Sequence, residues 1–109
     1  MQQWDICLFP FTDGGPHPAV ILSSDERCDN PDLAHVNALF CTSVRVARPL
    51  KKNEAMLNTA DGLDWETAVR CDIIHLLPKA SFGPARGRVS SARQIVIARK
   101  LAECLRLRW

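Results

Sequence analysis

Apolar positions along the chain fall into short runs, some alternating with polar residues and some unbroken, and turn chemistry separates them. That is the pattern of strands rather than of long helices. Residues 4–11 (Trp-Asp-Ile-Cys-Leu-Phe-Pro-Phe) predict a first strand ended by Pro10. Thr12-Asp13-Gly14-Gly15-Pro16 is a dense turn, since glycine supplies positive φ and proline fixes φ without donating a hydrogen bond. Residues 18–23 then predict a second strand, paired with the first as a hairpin, with His17 where the turn re-enters the sheet. Residues 24–32 form a polar loop, and residues 35–43 a third strand whose two faces are both partly covered. A basic connection (Arg48-Pro49-Leu50-Lys51-Lys52-Asn53) leads into a short strand at 54–58, ended by Asp61-Gly62.

The stretch 67–72 alternates cleanly: Val69, Cys71 and Ile73 against Ala68, Arg70 and Asp72. Residues two apart on a strand share a face, so Arg70 and Asp72 project together, roughly 6.5–7 Å apart along the backbone. Such a pair can share a proton-transfer task, or it can be a solvated ion pair with none. The apolar run 73–77 follows, with a turn at Pro78 and a loop over residues 82–88 rich in Gly, Pro and Arg. The last element, about 91–107, is the one convincing helix. Ser91 and Gln94 match capping-box spacing, and Ala98, Leu101, Ala102 and Leu105 form a stripe extended by Ile97 and Cys104. The predicted class is mainly β (α+β): five to seven short antiparallel strands, curled, with one C-terminal helix.

With 109 residues, 47% hydrophobic and 24% charged, the chain fits a single domain, 1–109. No run approaches the ~20 apolar residues of a membrane span, and the start lacks the basic-then-apolar order of a secretory signal. A cytoplasmic protein with no membrane association is expected. Five cysteines are an odd number without a C-x-x-C pair, and read as reduced, mostly buried side chains rather than disulfides or metal ligands. Cys28, in a polar loop, is the exception. The formal charge of +2 is unevenly spread. Residues 1–85 carry 7 basic against 11 acidic side chains, and residues 86–109 carry 7 against 1. A basic end suits nucleic acid or an acidic protein, or it is a solvated helix face complementing its own dipole.

Taken in order, these pieces resemble the PemK/MazF toxins of type II toxin–antitoxin modules. Trp4-Asp5-Ile6-Cys7-Leu8 is similar to the family's opening Gly-Asp-hydrophobic strand, with Trp4 for glycine. Phe9-Pro10-Phe11-Thr12-Asp13 resembles the variant of one branch. His17-Pro18-Ala19-Val20-Ile21-Leu22-Ser23 resembles the Arg-Pro-Ala-hydrophobic-Ser segment, with His17 in place of arginine. Thr42-Ser43 matches the pair closing the third strand. Ala68-Val69-Arg70-Cys71-Asp72 is similar to a segment carrying an Arg and an Asp used in RNA cleavage. The loop before His17 is short and lacks the family's Glu-Gln-Gly approach.

The resemblance implies an SH3-like barrel acting as a homodimer. The implied activity is metal- and cofactor-independent, sequence-selective cleavage of single-stranded RNA. A cognate antitoxin would block it by laying an acidic, disordered segment over the groove. It also implies roles. Asp72 is the base that removes the 2′-OH proton, and Arg70 stabilises phosphorane charge, because a guanidinium stays protonated. Thr42 joins them as a hydroxyl donor to phosphate, with Ser43 and Arg45 binding substrate. An imidazole titrates near neutrality, so His17 can be the acid that Arg70 is not, or its presence can mark a weakened, antitoxin-binding module. A sister family of this fold poisons gyrase through its C-terminal end, and Trp109 keeps that alternative open. His35 and His75 read as strand residues without a role.

Overall fold

The computed structural model describes residues 1–11, 15–44 and 48–108. Among them are seven strands: β1 Asp5–Phe9, β2 His17–Ile21, β3 His35–Ser43, β4 Glu54–Leu57, β5 Thr67–Arg70, β6 His75–Pro78 and β7 Ala85–Arg88. All pairings are antiparallel, in the order β4-β5-β3-β2-β1-β7, with β6 also on β3. The described residues also hold two α-helices, α1 Asp25–Asp29 and α2 Ser91–Leu105, and short 3-10 turns at Thr59–Asp61 and Lys79–Ser81. The expected mainly β architecture with a terminal helix is the one observed.

The central strands are covered on both faces, which is why β1 and β2 read as nearly unbroken apolar runs, whereas β6 is only partly covered and β7 is largely exposed. Neighbouring residues enter opposite cores. Ile6, Val20, Leu39, Cys41, Val69 and Cys71 pack with Leu57 and with Ile97 of α2. Cys7, Phe9, Ala19, Ile21, Val36 and Ala38 pack with Leu77, against partly buried Phe11, Cys28 and Phe82. Cys28 is therefore a packing residue, not a loop thiol. Five apolar side chains of the first core are fully buried isoleucines and leucines or valines of β1–β5, each worth about 1.5–3 kcal/mol.

Several expectations are corrected. Residues 25–29 are not loop: Ser24 caps a short helix by accepting the Arg27 N–H at 3.3 Å. The 82–88 loop contains β7, which pairs with β1 and places Gly87 against the turn after β4. A Cβ there would lie 2.1 Å from the Asp61 carbonyl oxygen, so only glycine fits. The helix begins after Ser90, without a side-chain cap, and the Gln94 amide donates to the Val89 carbonyl instead of closing a capping box. Leu105 is exposed, and Ile97, Leu101 and Cys104 form the stripe that meets the core.

The largest departure lies in residues 67–78. The expected strand stops at Arg70, and β6 resumes on the same edge of β3. Val69 faces Cys41, but His75 faces Ala38. Two residues of β3 (39 and 40) are thus spanned by five residues (70–74), a bulge of three extra positions. Ile73 is 46% exposed as a result, not a core residue. Bulges of this kind re-aim side chains and often border functional sites.

Candidate active site

Arg70 and Asp72 leave the sheet at this bulge. Arg70 is the last residue of β5, opposite Glu54 of β4, and its Nη2 donates to Asp72 Oδ2 at 3.2 Å. The shared face expected from spacing therefore closes into a contact. Both side chains remain partly exposed, 42% and 31%. The Asn53 side chain foremost holds the Asp72 carboxyl below its ordinary pKa; desolvation pushes it up, and the Arg70 guanidinium adds to the lowering. Its Oδ1 is buried and accepts no well-formed hydrogen bond. A carboxylate in this state is ionised at neutral pH and keeps an unused acceptor.

Thr42 and Arg70 line one cavity of about 290 Å³ together with Phe40, Arg48, Asn53 and Glu54. The reason is register. Thr42 stands directly across from Ala68, two residues before Arg70 on the same face. Ser43 points the other way, into a separate cavity with Asp64, Trp65 and Arg86. The Thr42-Ser43 pair is thus split between two faces of β3. Arg45 and Trp109 lie outside the described residues.

His17 reaches this region through an aromatic wall. Its ring is 5.1 Å from that of Phe40 and 6.3 Å from that of Phe11. Phe11 stands edge-on to Phe40 at 4.9 Å and to His75 at 5.6 Å. Phe9 and Phe82 continue the cluster, so all four phenylalanines of the chain meet here. His75, given no role by the sequence, joins His17 at this wall.

Sequence reasoning also missed Glu54 and Arg48. Glu54 is 4% exposed, accepts a bidentate pair from Arg48 at 2.8 and 3.0 Å, and takes the Lys51 backbone N–H at 2.8 Å. Arg48 foremost, helped by that N–H, lowers the Glu54 pKa despite burial. The Arg48-Pro49 connection offered no local signal for this, because the partner is six residues on. Among the described residues no three His, Cys, Asp or Glu side chains gather as metal ligands would, and no helix is long and apolar enough to cross a membrane.

No family model and no curated protein matches the chain by sequence. Its structure does have counterparts. A mycobacterial endoribonuclease, solved in complex with its cognate antitoxin, superposes with a TM-score of 0.81 at 25% identity, over 100% of this chain and 98% of that one. The chain has the fold of the MazF toxins. The Mycobacterium tuberculosis toxin MazF-mt6 matches with a TM-score of 0.80 at 21% identity, covering 96% and 99%. MazF in the MazE-MazF structure from Deinococcus radiodurans gives 0.72 at 21%, covering 96% and 94%. The resemblance to PemK/MazF toxins thus extends over the whole architecture, and the bulge with Arg70 and Asp72 is set within a complete MazF fold.

Proposed function

We propose that the chain is the toxin of a type II toxin–antitoxin pair and cuts single-stranded RNA without a metal. The observation that supports this reading is the bulge after β5, which sets a carboxylate, one oxygen of it buried without a well-formed hydrogen bond, beside a guanidinium and the Thr42 cavity. Asp72 takes the proton from a ribose 2′-OH. The 2′-oxygen attacks the adjacent phosphorus, and the bond to the 5′-oxygen breaks, leaving a 2′,3′-cyclic phosphate and a 5′-OH. Arg70 and the Thr42 hydroxyl meet the extra charge on the phosphorane. His17, at the aromatic wall, gives the proton to the leaving oxygen, and Phe40 offers a face for a neighbouring base.

The ion pair has a part in the timing. An arriving phosphate competes for Arg70, and as the guanidinium turns to it Asp72 loses a partner that held its pKa down. The base becomes stronger when it is needed. Because Oδ1 is covered, proton transfer also requires the Asp72 side chain to turn or Asn53 to move aside. The protein works as a homodimer, and a cognate antitoxin silences it by covering this groove with an acidic, extended segment.

The purified protein is expected to cut single-stranded RNA in EDTA and to leave 2′,3′-cyclic phosphate ends. Arg70→Ala and Asp72→Ala are each expected to reduce cutting by roughly 10²–10⁴-fold, the scale of one acid–base or charge-stabilising group. Undiminished cutting in both variants would sink the site assignment. Intact RNA alongside trapped double-strand DNA breaks would replace the ribonuclease reading with topoisomerase poisoning.

A further inference from the structure

A second cavity, of about 490 Å³, lies between the start of β4 and the C-terminal end of α2, lined by Lys51, Lys52, Asn53, Asp72, Glu103 and Arg106. We infer that it is a phosphate subsite, holding the RNA backbone one or more nucleotides away from the bond that is cut. The inference rests on the ribonuclease reading above and adds the path of the strand.

Three observations support it. First, the cavity adjoins the cleavage cavity: Lys51 and Asn53 line both, and Asp72 of this cavity is paired with Arg70 of the other. A strand leaving the Thr42 cavity along this wall enters the second. Second, its cations form no ion pair among the described residues, although Lys51 acts on nearby Glu54 through space. Arg48, Arg70, Arg86, Arg88 and Arg93 each pair with a carboxylate, but Lys51, Lys52 and Arg106 have no such partner among the described residues. Asp72 is already answered by Arg70, which leaves three cations facing Glu103. Lys51 is held at the mouth by its own backbone N–H, bound to Glu54.

Third, Arg106 sits where a glycine would be cheaper. It is the C-cap of α2, in the left-handed region at φ 54°, ψ 39°, with its N–H shared between the Ala102 and Glu103 carbonyls. An L-residue with a large side chain costs about 1–2 kcal/mol in that conformation, and glycine is the usual occupant. A guanidinium kept there at that cost has a use beyond ending the helix.

The test is binding of a fluorescein-labelled, mixed-sequence 2′-O-methyl RNA, which cannot be cut, followed by anisotropy across a KCl series. Lys52→Ala/Arg106→Gly should weaken binding about tenfold. It should also flatten the plot of log affinity against log salt by roughly 1.4, from ~0.7 per phosphate contact on a single strand. On cleavable RNA its KM should rise more than its kcat falls. Arg106→Gly alone should melt no lower than the parent, because glycine adopts this cap freely, yet bind RNA more weakly. A parent that cuts RNA while the double variant keeps its affinity and salt slope would remove the RNA from this cavity and leave the nuclease reading standing. The same unchanged RNA binding with lost binding of an acidic peptide would assign the cavity to a protein partner. A parent that neither binds nor cuts RNA overturns both readings.

Discussion

Two arginine–aspartate pairs of nearly equal length have opposite surroundings. Arg93 Nε meets Asp61 Oδ2 at 3.3 Å, and Arg70 Nη2 meets Asp72 Oδ2 at 3.2 Å. Asp61 is 1% exposed and fully engaged. Oδ1 accepts the Ser90 N–H at 2.9 Å, and Oδ2 accepts the Asn58 N–H at 3.0 Å. Arg93 in turn donates to the Met56 carbonyl. This carboxylate ties β4, the turn after it and the first turn of α2 into one unit. Asp72 has a single well-formed bond and a buried oxygen without one. A pair whose every acceptor is taken fixes structure, and a pair with acceptors in reserve is available for chemistry.

Exchanging the two sites' fates would break this comparison. Asp61→Ala is expected to cost about 3 kcal/mol, since it removes a buried carboxylate that holds a partly buried guanidinium and two backbone donors, and to lower Tm on the order of 15 °C. Asp72→Ala should move Tm by only a degree or two while slowing cleavage by roughly 10²–10⁴-fold. Equal melting of the two variants would end the distinction. The next effect is at His17. His17→Ala should slow cleavage at least tenfold if the imidazole donates the proton, and His17→Arg should recover phosphate binding without removing that deficit. An alkaline limb of the rate profile that disappears in His17→Arg would assign the proton to the imidazole.

Acid sharpens the comparison further. Asp72 and Glu54 both have folded pKa values below their ordinary ones, so each contributes stability above the unfolded value, about 4, and loses it as pH falls through the folded value. Tm should be flat from neutrality to about pH 5 and drop below pH 4. Glu54→Gln should shrink that drop, as thermal melts at several pH values would show. Cleavage should persist on the acid side until Asp72 itself protonates. The smallest effect belongs to Ser43→Ala: on the far face of β3, it should leave cleavage within about twofold of the parent, whereas Thr42→Ala should not.

Much of this was legible in the residues, and the misses share one cause. The β1–β2 hairpin was announced by Gly15-Pro16 and the apolar runs either side. The nearness of Arg70 and Asp72 was expected from period two, but the bulge after β5 rather than a continuous strand brings them into contact. What stayed hidden depended on residues far apart in the chain. Ser91 and Gln94 looked like a cap, but Asp61, thirty residues earlier, already holds the helix start through Ser90. β7 was disguised because its Gly-Arg sequence answers a close approach by the Asp61 carbonyl rather than a strand propensity. The three-residue step after β5 needs the register of β3 to be seen at all. The gathering of Phe11, Phe40, His17 and His75 needs β2, β3, β6 and the segment after β1 to be brought together first.

That step also decouples display from scaffold. Asp72, Ile73 and Ile74 belong to neither ladder, while β5 and β6 keep their own partners on β3. Substitutions at Ile73 and Ile74, which are 46% and 41% exposed, therefore leave the hydrogen-bonded framework in register, whereas Asp72 carries the proposed chemistry. Point changes at those two positions require no insertion, no deletion and no refolding of the neighbouring strands.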